Sequence, residues 1–107
     1  MRSNVSNVMS PKLRRILKKL GADIAIARKK RELTMAMMCE RTGVAKQTYQ
    51  RVEQGDPSVS FGVIAMALFA LGEEHRLENL LDVAVDGTGL LLDLSKLPKR
   101  VRTDHAS

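Results

Sequence analysis

This chain predicts an all-α fold, four or five helices around one core, and three observations carry it. Apolar residues recur at spacings of three and four along most of the 107 residues. The apolar runs are punctuated by helix starts at Ser10-Pro11, Thr34 and Ser60 and by stops at Gly43, Gly55 and Gly72. Aromatic residues make up only 3%. The core must therefore be built from Leu, Ile, Val, Met and Ala, and a small helical bundle can do this.

Residues 1–10 are polar and without period, and read as a loose arm. Ser10 caps and Pro11 opens a first helix, with Leu13, Ile16, Leu17, Leu20, Ile24 and Ala27 as one inward stripe. Gly21 lowers its helicity without having to stop it, though a break after Leu20 is an alternative. Thr34 caps a second helix, Met35 to Thr42. Gly43 ends it, because glycine takes the left-handed position after a helix without steric cost. Val44 should plug the angle to a third helix, Ala45 to Gln54, closed by Gly55. Ser60 caps a fourth helix, FGVIAMALFAL, with Ile64, Leu68 and Leu71 inward. A fifth covers about Glu74 to Ala84, with Leu77, Leu80, Leu81 and Ala84 inward, and Asp86-Gly87 marks a turn. Residues 88–97, TGLLLDLSKL, could be a short helix or a strand. The expected organisation is an arm at 1–10, a domain at 11–87, and a dimerisation or partner-binding segment with tail at 88–107.

The formal net charge of +6 favours an anionic partner. Its distribution is uneven. Residues 1–31 balance at +9, residues 32–55 at zero, residues 56–95 at −6 and the last twelve at +3. A basic front and an acidic rear suit two partners, one anionic and one not. The single cysteine, Cys39, excludes an internal disulfide and a multi-cysteine zinc site. It sits in MAMMC, where a small buried hydrophobe is the plainer reading and a reactive thiol the other. Residues 1–10 lack the apolar run of a secretory signal, and no run approaches a membrane span. The expectation is a cytoplasmic, nucleoid-associated protein. Enzyme function is not expected. The only histidines are His75 and His105, and no nucleophile, base and orienting group stand together in sequence. No cofactor or metal is implied.

The segment Leu33 to Gly55 carries the chemistry. Gly43-Val44 is a turn short enough to fix the angle between two helices. Leu33, Met38, Val44, Tyr49 and Val52 are spaced to face inward. Lys46, Gln47, Gln50 and Arg51 fall on or beside the outer face of the third helix, whose start can enter the DNA major groove. Gln can bond bidentately to adenine, and Lys or Arg to guanine. The opening amides of that helix, around Ala45 and Thr48, point toward a phosphate. Solvated surface explains each polar residue singly; the set on one short helix after that turn points to base reading.

The segment resembles the helix-turn-helix of the phage-repressor and Cro-like regulators, the lambda-repressor-like fold. That pattern places an Arg late in the first helix, L-T-Q at the second, G-V-S in the turn, then T-x-x-x-x-E-x-G. Here stand Arg28, Leu33-Thr34, Gly43-Val44, Thr48, Glu53 and Gly55, and the likeness runs from about Leu20 to Leu81. It implies a structural ion pair between Arg28 and Glu53, and base reading by Lys46, Gln47 and Gln50 or Arg51. It also implies phosphate contacts near Ser58 and Ser60, joining Ala45 and Thr48. Two positions depart from the pattern. Met35 replaces a Gln that grips phosphate, and Ala45 replaces a Ser or Thr at the third helix cap, a loss of about 1 kcal/mol. Both bear on affinity rather than fold.

LGADIAIARKKRELT, PSVSFGVIAMALFALG and LPKRVR look most like the antitoxin partnered with HipA-type serine/threonine kinase toxins. That resemblance implies a homodimer on a palindromic operator, repressing its own operon and binding a HipA-like kinase. A stand-alone regulator of the same family, or an interaction module with weak DNA binding, remains an alternative.

Overall fold

The computed structural model describes residues 8–83 and 97–99. Among the described residues the helices follow in order: α1 Pro11–Lys30, α2 Met35–Thr42, α3 Lys46–Gln54, α4 Phe61–Ala70 and α5 His75–Glu78. No strand occurs among the described residues, and the fold is all-α. The chain divides into two compact units, Met1–Leu77 and Glu78–Ser107. In the second, the described residues hold the end of α5 and a turn in which the Asp82 N–H donates to the Asn79 carbonyl at 3.4 Å. The segment read as strand or helix, 88–97, lies outside the described residues except for Leu97.

The starts are built as the side chains dictate. Ser10 Oγ accepts from the Leu13 N–H at 3.2 Å, Thr34 Oγ1 from Met37 at 3.0 Å and Ser60 Oγ from Val63 at 3.2 Å. Each satisfies an amide that has no partner inside its helix. Gly43 closes α2 in the left-handed conformation, φ 72°, and its N–H donates to the Cys39 carbonyl at 2.8 Å.

The core is Ile24, Met38, Tyr49, Val52, Ala67 and Leu71. Leu33, Met35, Cys39, Val44, Val63 and Ile64 pack around it. Burial of Met38 and Val52 stabilises by about 1.5–3 kcal/mol each. α1 runs through Gly21 without a break because that glycine is a contact point. A Cβ there would lie 2.5 Å from the Gly55 nitrogen and 2.6 Å from the Glu53 carbonyl oxygen. Gly55 has the matching constraint, its own Cβ position falling against the Leu17 carbonyl oxygen. The two glycines let α1 and the end of α3 meet backbone to backbone.

Three expectations are corrected. The inward stripe of α1 holds only over its second half: Ile24 is buried, but Leu13, Ile16 and Leu20 are exposed. The contact at Gly21 and Gly55 sets where α1 meets α3, and its first turns extend past that crossing. On α4 the expected Leu71 is buried and Ile64 packs against the core, but Leu68 is only half-buried and the buried position within the helix is Ala67. α5 is four residues, not eleven; Leu80 and Leu81 follow the helix instead of lining it.

Candidate nucleic-acid interface

α3 is nine residues long and has two unlike faces. Tyr49 and Val52 are buried, and Glu53 turns inward with them. At about 100° per residue, Lys46, Gln50, Gln54, Gln47 and Arg51 follow one another round the opposite side, over an arc of about 140°. Lys46, Gln47, Gln54 and Arg51 are exposed and Gln50 is half-buried. The face thus carries three Gln and two cations and no acid. Gln54 belongs to it and escaped the sequence reading, although its place seven residues after Gln47 and four after Gln50 was the available signal.

The orientation of this face is held at two points. The first is the turn. Thr42 Oγ1 donates to the Met38 carbonyl at 2.7 Å, Gly43 reverses the chain, and half-buried Val44 packs against the core. The second is a clamp around Arg28. Its Nε donates to Glu53 Oε2 at 2.6 Å and its Nη2 to Oε1 at 3.2 Å. Its Nη1 donates to the Leu33 carbonyl at 2.9 Å, so one guanidinium ties α1, the entry to α2 and α3. The Tyr49 hydroxyl donates to Glu53 Oε2 at 2.5 Å, the oxygen that also accepts from Arg28 Nε. The Arg28 and Glu53 side chains are only 10% and 11% exposed, so the pair is largely desolvated, and each guanidinium nitrogen has a hydrogen-bond partner. The bond to Glu53 raises the Arg28 pKa. Burial, then the bond to Glu53, raises that of Tyr49. The arrangement keeps Arg28 charged and Tyr49 protonated at any physiological pH.

The expected phosphate contacts divide. At the start of α3, Ala45 is the N-cap residue and makes no side-chain bond, so the first amides of α3 have no local acceptor. Thr48 is half-buried one turn in. Exposed Ser60 uses Oγ to accept from Val63 and caps α4. Ser58 is different. Its N–H and its hydroxyl both donate to Asp56 Oδ1 at 2.8 Å, so a phosphate there meets a carboxylate that already holds both donors. Those two bonds also depress the Asp56 pKa, which keeps the carboxylate charged. Met35, standing where the resembled pattern has a phosphate-gripping Gln, packs partly buried against the core. It has exchanged an anion contact for apolar burial.

A short α2, a left-handed glycine turn and an α3 with one polar outer face make up a helix-turn-helix. A family model described as a helix-turn-helix domain matches residues 19–81, more than half of the chain. The chain belongs to this helix-turn-helix family, of the phage-repressor and Cro type. No curated protein and no solved structure matches it. Among the described residues, no helix is long and apolar enough to cross a membrane.

Proposed function

We propose that the chain is a sequence-specific repressor of transcription that binds a near-palindromic duplex as a homodimer. The observation that carries the reading is the outer face of α3. It presents Lys46, Gln47, Gln50, Gln54 and Arg51 with no acid, on a helix whose tilt is fixed by the Gly43 turn and the Arg28–Glu53 clamp. Rigid placement matters because bidentate contacts to base edges tolerate little misalignment. Lys46, Gln47, Gln50 and Arg51 read bases. The open amides after Ala45, with Thr48 and Ser60, hold phosphate, and the surplus of basic charge in residues 1–31 steers approach. The chain acts by binding and not by catalysis, in the cytoplasm beside the nucleoid.

Within this reading, LGADIAIARKKRELT, PSVSFGVIAMALFALG and LPKRVR support an antitoxin role: a repressor of its own operon that also binds a HipA-like kinase. The acidic balance of residues 56–95 favours a second, protein partner on a surface away from DNA. The test is a gel shift against the chain's own upstream DNA, repeated with the adjacent gene product. A shift by the chain alone, supershifted by that product, is the expected outcome. Equal binding to upstream and scrambled DNA contradicts sequence reading. Failure of the product to bind contradicts the antitoxin role alone.

The interaction-module reading has two observations in its favour: Asp56 occupies the Ser58 donors, and Met35 packs against the core instead of offering a phosphate contact. Both lower affinity, but neither touches the α3 face, so the DNA reading stands first.

A further inference from the structure

The α4 helix is apolar on every side. Its inner side closes the core through Ala67, with Val63, Ile64 and Ala70 packed around it. Its outer side carries Phe61, 66% exposed, Phe69, 63% exposed, and Met66, 43% exposed. A helix apolar all round is normally covered all round, and grouped exposed aromatics mark an interaction surface.

We propose that the outer face of α4 is the homodimer interface, two copies of α4 crossing antiparallel about a two-fold axis through Ala65. This rests on the dimeric reading above and says where the two copies touch.

Two features argue for a second copy as the occupant. The first is the order of side-chain sizes. Phe61, Ala65 and Phe69 are spaced at four and lie along one line of the helix. Ala65 is half-buried at the middle of the line, with a bulky ring one turn to either side. Rotation by two-fold symmetry about the middle puts Phe61 against the partner's Phe69, and the partner's Phe61 against Phe69. The small pair, Ala65 and its copy, meets at the crossing, with Gly62 beside it. A Cβ at Gly62 would meet only Ser60 Oγ, at 3.9 Å, so that position is open to a neighbour. Such a pattern is complementary to itself, as an isologous contact requires.

The second feature is charge. Each copy carries +6, so like charges oppose self-association over most of the surface. No charged residue occurs between Asp56 and Glu73, the longest uncharged run in the sequence. Among the described residues, the exposed apolar stripe of α1, Leu13, Ile16 and Leu20, is set among Lys12, Arg14, Arg15, Lys18 and Lys19, where two copies would repel, and exposed Leu80, Leu81 and Val83 lie past α5, beyond the uncharged run. Between the α1 and α4 stripes, that of α4 is the one that lets equal charges approach.

The test uses the full chain. Sedimentation equilibrium gives the dimer dissociation constant for the wild type and for Phe69→Glu, with circular dichroism to check folding. In a Cys39→Ser background, Ala65→Cys is oxidised under mild conditions and run on a non-reducing gel. The expected result is a wild-type dimer, a dissociation constant raised about 100-fold or more in Phe69→Glu because a charge is buried without a partner, and a disulfide-linked Ala65→Cys dimer. A wild-type dimer that Phe69→Glu does not weaken and Ala65→Cys does not link overturns this interface while leaving the dimer reading intact. A wild-type chain that stays monomeric, free and on DNA, overturns the dimer reading and this proposal with it. Should Phe69→Glu fail to fold, the Ala65→Cys linkage decides.

Discussion

At the scale of single residues, Glu53 bears the most. It accepts two bonds from Arg28 and one from Tyr49, all in a desolvated site. Glu53→Ala strands a buried guanidinium and a buried hydroxyl, and should cost about 3–5 kcal/mol in a urea titration. Tyr49→Phe removes one bond to a charged acceptor and should cost about 1.5–3 kcal/mol, with the clamp otherwise in place. The Arg28 and Glu53 pairing was legible in the sequence through a family likeness. The Tyr49 bond was not, because an inward tyrosine in a helix reads as packing and its hydroxyl partner depends on the tilt of α3 against α1. Asp56 supplies a further test. Its pKa lies below the ordinary carboxylate value, so whatever it adds to stability is complete at neutral pH. That contribution is lost as pH falls from about 4 through the lower folded value. Asp56→Ala frees both Ser58 donors and removes a negative charge beside the expected phosphate position. It should tighten duplex binding several-fold in fluorescence anisotropy at neutral pH; unchanged or weaker binding would show that Ser58 does not meet phosphate.

Elements are where sequence and structure part company. α2 and α3 were legible to within a residue, since Thr34, Gly43 and Gly55 each impose a local geometry. α1 was legible in length but not in facing. Apolar periodicity gives a stripe, whereas the part of it that is buried depends on where α1 crosses α3. That crossing is set by Gly21 against Gly55, a contact between residues 34 apart in sequence that no local pattern reveals. Gly21→Ala should cost about 1–3 kcal/mol, because the added methyl meets backbone that cannot swing aside; a melt identical to wild type would remove the close contact from the account. α5 was overextended because Leu80 and Leu81 continue a helical spacing after the helix itself has stopped at Glu78. On α3, restoring a cap by Ala45→Ser should raise stability by about 1 kcal/mol. Gln54 joined the outer polar face only once the α3 wheel could be set against its buried side. Gln47→Ala and Gln54→Ala should each relax preference at a base position, by about 1–3 kcal/mol per bidentate contact. Loss that is equal on preferred and random duplex would mark them as solvated surface.

For the whole molecule, the charge distribution and the α3 face make a joint claim: affinity comes largely from phosphate, specificity from the glutamines and cations of α3. Binding should weaken steeply with salt, with a log–log slope of about −0.9 for each phosphate neutralised. A dimer should read two half-sites about one helical turn apart. The most direct measurement is a selection that starts from DNA of every sequence. Random duplexes are selected on the full-length chain at physiological salt, and the retained pool is sequenced. The account predicts enrichment of a near-palindrome whose half-sites are one turn apart, and loss of that enrichment when Gln47 and Gln50 are both replaced by Ala. A retained pool indistinguishable from the input, from a chain that nonetheless binds DNA, would contradict it.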